Sequence, residues 1–119
     1  MGDPVQRTSY AEYLALEAES EQRYEFVDGF VHAMAGGTPE HSRLAIAVAA
    51  ELRSALAGSS CAVYGSDLKL RIDATKRTTY ADVVVVCGAE QTSPIDPNAI
   101  TNPTMIVEVL SPSTEASDR

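Results

Sequence analysis

The sequence predicts one α/β domain, a sandwich of helices around a mixed central β-sheet. Three observations carry that prediction. Two stretches, "TSYAEYLAL" and "TPEHSRLAIAVAAELRSALAG", combine helix-start signals with helical spacing of apolar residues. Between them, "RYEFVDGFVHAMAGG" alternates about Asp28-Gly29, the strongest short-range hairpin signal. After the second helix, "CAVYGSDLKLRID", "YADVVVVCG" and "PTMIVEVL" read as three strands.

Ser9 and Glu12 form an S-x-x-E capping box, in which each side chain satisfies a backbone donor of the first turn. Tyr10, Tyr13, Leu14 and Leu16 give this first helix an apolar face, and the polar run "EAESEQ" ends it. Strands near 23–27 and 30–35 follow, with Tyr24, Phe26 and Phe30 or Val31 filling one face and Glu25 on the other. In the second helix Thr38 is the N-cap, Pro39 suits the first helical position and Gly58 the stop. Leu44, Ala45, Val48, Leu52, Ala55 and Leu56 recur on one side, with His41 on or beside that stripe. The first later strand is expected to bend at Gly65-Ser66, and "AEQTSPIDPNAITNP" reads as a long loop. "DVVVV" and "MIVEV" are nearly continuous β-branched runs, so both faces of that part of the sheet are expected to be covered.

A chain of 119 residues suits one domain and leaves no room for a second. The longest apolar run, "ADVVVVCGA", is strand-sized and far from a membrane span. The first ten residues lack the layout of a signal peptide. Cys61 and Cys87 lie far apart with no metal-ligand spacing, which predicts two reduced thiols in a cytoplasmic protein. Nine basic against 17 acidic residues give −8, which weighs against a nucleic-acid coat protein but not against an enzyme with a local basic patch. Lys69, Arg71, Lys76 and Arg77 fall in one short stretch that reads either as such a patch or as a solvated hairpin rim.

Glu108 interrupts an apolar strand, and an ionised carboxylate buried there needs a partner. Asp82 heads the neighbouring valine strand. Two carboxylates converging at the ends of adjacent strands repel each other, and a divalent cation between them removes the repulsion. Oxygen ligands favour Mg²⁺ or Mn²⁺ over zinc. The plainer alternative makes Asp82 a strand cap and pairs Glu108 with Lys69 or Arg71.

The blocks "SYAEYLALEAESEQRYEFVDGFVHAMAGGTPEHSRL", "SDLKLRI", "YADVVVVCG" and "NPTMIVEVLSPSTEASDR" occur in that order, and from Ser9 to Arg119 the chain resembles the Uma-type restriction endonucleases, a family of the PD-(D/E)XK nuclease superfamily. The resemblance implies a restriction-endonuclease-like fold, a mixed central sheet flanked by helices, and metal-dependent hydrolysis of DNA. By that resemblance Asp82 matches the first metal-binding aspartate, with Ala81 where proline usually stands. Glu108 matches the acidic residue of the (D/E)XK element, but Leu110 occupies the lysine position, leaving Lys69 as the local substitute. Glu25 and His41 match polar positions that complete the site; packing or capping would also account for His41. The family pattern continues through another helix and strand, so residues 1–8 are expected to be disordered and residues 9–119 to form a C-terminally truncated nuclease-like domain. The implied activity is then weak or absent. The alternative is a catalytically inactive nuclease fold acting through self-association, and an uncovered sheet edge predicts a homo-oligomer.

Overall fold

Ser9 caps the first helix, α1 (Tyr10–Glu19), and both bonds of the expected capping box form: Glu12 N–H donates to Ser9 Oγ at 3.1 Å and Ser9 N–H to Glu12 Oε1 at 2.9 Å. The computed structural model of the chain describes residues 7–110. Of the segment expected to be disordered, residues 1–6 lie outside that range, and Thr8 N–H donates to the Gly29 carbonyl at 2.7 Å. The end of the expected domain, residues 111–119, also lies outside it.

The predicted hairpin is present as β1 (Tyr24–Val27) and β2 (Phe30–Ala33). Its turn residues Asp28 and Gly29 both have positive φ, 46° and 91°, as a two-residue type I′ connection requires. Phe26 is buried opposite Val31, whereas Phe30 is exposed. Helix α2 (Pro39–Ala55) starts as predicted, with Thr38 Oγ1 accepting from His41 N–H at 3.1 Å. Its apolar stripe is less covered than expected: no residue of α2 is fully buried, and Leu44 and Ile46 are exposed.

The second half holds more strands than the three predicted. "CAVYGSDLKLRID" divides at the predicted bend into β3 (Cys61–Tyr64) and β4 (Lys69–Ile72), which belong to different sheets. A single turn of 3₁₀ helix at Asp73–Thr75 and left-handed Lys76 then reverse the chain into β5 (Arg77–Tyr80). The valine strand β6 (Val83–Cys87) starts anew after Asp82. The expected long loop contains β7 (Thr92–Ser93) and β8 (Asp96–Ile100); Pro97 fits because β8 lies next to the short terminal strand of its sheet. Last comes β9 (Met105–Val107).

Two sheets result, in the orders β2-β1-β5-β4-β8-β7 and β3-β6-β9. Among the described residues only β4 and β8 pair in parallel, so the larger sheet is mixed as predicted. Leu70 and Ile100 of the larger sheet meet Val84 and Val86 of the smaller in the main core. All four valines of β6 are buried, as the β-branched run predicts. Met105 and Ile106 of β9 are exposed, contrary to the expectation that both faces are covered there, because β9 is an edge strand among the described residues.

Alternation along β4 sends Leu70 into that core and Lys69 and Arg71 to the opposite face, under α1. There Tyr10, Tyr13 and Phe26 cluster with ring centroids 5.2–5.4 Å apart, and the Arg71 guanidinium lies 4.8 Å over Tyr10. The basic stretch is therefore only partly a solvated rim: Lys69 and Arg71 are buried, while Lys76 and Arg77 are exposed.

The expectation of two reduced thiols is overturned. Register sets Cys61 directly opposite Cys87 on β3 and β6, and the two form a disulfide. Sequence distance hides this proximity, because pairing of β3 with β6 is fixed by strand topology, not by spacing along the chain.

Candidate active site

Strand register builds the acidic pair. Asp82 immediately precedes β6, Glu108 immediately follows β9, and these strands pair antiparallel with Val83 opposite Val107. Extending that register by one residue sets Asp82 opposite Glu108, where like charges destabilise a sheet. The Glu108 carboxyl is accordingly pushed above the ordinary glutamate range, by burial first, then by the charge of Asp82 and a hydrogen bond with it. Arg77 offsets part of this shift and Glu25 adds to it.

Asp82 is anchored from two sides. Its Oδ2 accepts from Val109 N–H at 2.7 Å and lies 3.1 Å from His41 Nε2. His41 reaches it from the first turn of α2, positioned by the Thr38 cap. Glu25, on β1, is held by Arg77 of β5 at 2.6 Å. Thus Asp82, Glu108, Glu25 and His41 share one neighbourhood, joined by Arg77 of the short basic stretch.

Lys69 takes different partners. Its Nζ lies 2.9 Å from Asp96 Oδ2 and 3.0 Å from Glu17 Oε1, in a buried network under α1. Arg71 pairs with Asp73 at 3.0 Å. Neither basic residue pairs with Glu108, so the plainer alternative for that carboxylate does not form. Asp96 and Glu17 were missed by the sequence reading; Asp96 lay in the segment read as loop, and no local pattern marks either as the partner of Lys69.

A cleft of about 310 Å³ opens beside Asp82. It is floored by Tyr80, Ala81 and Asp82 and walled by His41, Ser66 and Arg23. Gly37 packs against the imidazole: a Cβ there would sit 2.5 Å from His41 Nδ1. Gly37→Ala is therefore expected to displace the ring and break the 3.1 Å contact between His41 Nε2 and Asp82 Oδ2. The imidazole chemical shifts in NMR check this, with circular dichroism to show an intact fold.

Two facing carboxylates fit Mg²⁺ or Mn²⁺, since Mg²⁺ is commonly held by one or two carboxylates and completes its shell with water and phosphate oxygens. The bonds from His41 and Val109 N–H both fall on Asp82 Oδ2. Among the described residues, no group of three or more His, Cys, Asp or Glu side chains converges closely enough to make an all-protein cage.

The chain is 38% identical over 116 residues to the uncharacterized protein slr1290 of Synechocystis, covering 98% of the chain and 60% of that protein. It is 30% identical over 109 residues to the uncharacterized protein sll1609 of the same organism, covering 92% of the chain and 62% of that protein. The chain thus spans about three fifths of the length of these curated relatives. No helix among the described residues is long and apolar enough to cross a membrane. A family model named Uma2 and described as "Putative restriction endonuclease" matches residues 10–119, and the chain belongs to that family.

Proposed function

We propose that this chain carries the metal-holding part of a DNA endonuclease that hydrolyses phosphodiesters in the PD-(D/E)XK manner. The observation that carries the proposal is the opposed pair Asp82 and Glu108, a repulsive arrangement kept at the ends of β6 and β9. Asp82 and Glu108 would hold Mg²⁺ or Mn²⁺. A cation there supplies Lewis-acid chemistry at a phosphate oxygen. Val109 N–H and His41 fix the orientation of the Asp82 carboxylate, and Arg77 holds Glu25 toward the same pair. Lys69 contributes through the network that holds Glu17, not by orienting water. A cytoplasmic location would follow from DNA as the substrate; the two cysteines whose expected reduced state first suggested it form a disulfide.

The experiment is nicking of supercoiled plasmid with Mn²⁺, comparing this chain with Asp82→Ala. Weak nicking, lost in the variant, is the expected result; nicking that survives the substitution would place the chemistry elsewhere.

A second reading is favoured by two observations: among the described residues β9 is an edge strand with exposed Met105 and Ile106, and α2 buries no residue fully. Such surfaces suit a homo-oligomer, whether active or catalytically silent. Light scattering that returns a monomer of 12.7 kDa would refute self-association.

A further inference from the structure

The cation that meets a substrate phosphate has not been identified by any of the residues above, and most of the basic side chains are already engaged. Among the described residues, Arg7 pairs with Asp28, Lys69 with Glu17 and Asp96, Arg71 with Asp73, Lys76 with Asp28 and Arg77 with Glu25. Arg23, Arg43 and Arg53 make no ion pair among the described residues. Of these three, only Arg23 lines the cleft that holds Asp82 and His41.

Arg23 is also pre-positioned. Its guanidinium lies 5.3 Å over the Tyr80 ring, and Nη1 donates to the Ser66 carbonyl. The Tyr80 hydroxyl is bonded to both carboxylate oxygens of Glu17, at 3.0 and 3.1 Å, and Glu17 is held by Lys69. A chain of contacts therefore runs from the buried amine to the cleft wall. The planar fork retains further N–H donors beyond the one spent on Ser66, in a geometry that matches phosphate oxygens.

We infer that Arg23 is a phosphate-binding residue, contacting a backbone phosphate of the nucleic acid that enters the cleft beside Asp82. The inference rests on the proposed nuclease reading and supplies its missing positive contact. Arg23 is a binding residue in this account, Tyr80 and Glu17 are its positioning residues, and Lys69 acts through them.

The test is fluorescence anisotropy of a labelled DNA duplex with the full chain, comparing wild type, Arg23→Ala, Arg23→Lys and Arg53→Ala at several salt concentrations. Arg23→Ala should weaken binding about tenfold and reduce the salt slope by about one. Arg23→Lys should recover part of the affinity, since it keeps the charge but not the fork. Arg53→Ala, which removes the same charge away from the cleft, should bind as wild type does. Thermal unfolding of Arg23→Ala should match wild type to within a few degrees, showing that the Ser66 bond is not what the assay reads.

Equal binding by wild type and Arg23→Ala would overturn the inference, as would an equal loss in Arg53→Ala. Calorimetry with Mn²⁺ separates this from the reading of the carboxylates. A wild-type chain that binds Mn²⁺ but no duplex overturns the phosphate contact and leaves Asp82 and Glu108 standing. Duplex binding that depends on Arg23, without any Mn²⁺ binding, supports the contact and removes the metal.

Discussion

Lys69→Met is expected to destabilise the chain by about 3–5 kcal/mol, the usual cost of leaving buried charge without its partner. The Lys69 side chain is 10% exposed and its partners Asp96 and Glu17 are 2% and 12% exposed, so solvent cannot replace the lost cation. Asp96 would keep the Tyr10 hydroxyl at 2.8 Å and Asn98 N–H at 3.1 Å, and Glu17 would keep Tyr24 N–H and the Tyr80 hydroxyl. These neutral donors soften the loss but do not cancel two carboxylates. Urea denaturation at neutral pH measures it.

The same network sets a pH dependence. Burial pushes the Asp96 carboxyl up, but bonds from Lys69, Tyr10 and Asn98 N–H outweigh it and hold the group below the ordinary aspartate range. A depressed carboxylate stabilises the fold above its unfolded pKa, about 3.9, and that stabilisation is lost as pH falls through the lower folded value. In Lys69→Met the strongest of those bonds is lost, so the Asp96 carboxyl titrates higher than in the wild type. The deficit of the variant should therefore narrow as pH falls, and its Asp96 part should be gone once pH is below the wild type's own lowered folded value. A stable Lys69→Met chain that had lost only cleavage would instead place the amine at the reaction.

That contrast shows what the sequence could and could not reveal. Elements set by local chemistry were legible: the Ser9–Glu12 box, the Asp28-Gly29 turn, the Thr38–Pro39 helix start and the valine strand all form. The proximity of Asp82 and Glu108 was legible too, because each flanks an apolar strand and these strands pair. What stayed hidden depends on contacts distant along the chain. Alternation says that Lys69 and Arg71 share a face, but only the packing of α1 shows that the face is buried and supplies Glu17. Asp96 sits in a stretch whose Pro and Asn content signals loop, yet pairing with β4 makes it a strand. The Cys61–Cys87 bridge likewise follows from register between β3 and β6.

The Asp82–Glu108 pair makes the second large prediction, a change of sign on adding metal. Without a cation, Glu108→Gln is expected to stabilise the chain at neutral pH, because burial and the charge of Asp82 disfavour the ionised Glu108 carboxyl in the fold. A carboxyl whose folded pKa is raised costs stability above that value and costs nothing below its unfolded pKa, about 4.3, so the gain should vanish in acid. Saturating Mn²⁺ should reverse the order: the wild type gains stability by binding, and a variant that binds no metal does not. Sites that trade stability for function behave this way.

Isothermal calorimetry of Mn²⁺ against the wild type, Asp82→Ala and Glu108→Ala tests the central claim most directly, since it reads the carboxylate pair without requiring cleavage. The wild type should bind Mn²⁺ saturably, and both variants should lose that binding while their folds persist. Binding of wild-type strength in both variants would contradict the claim.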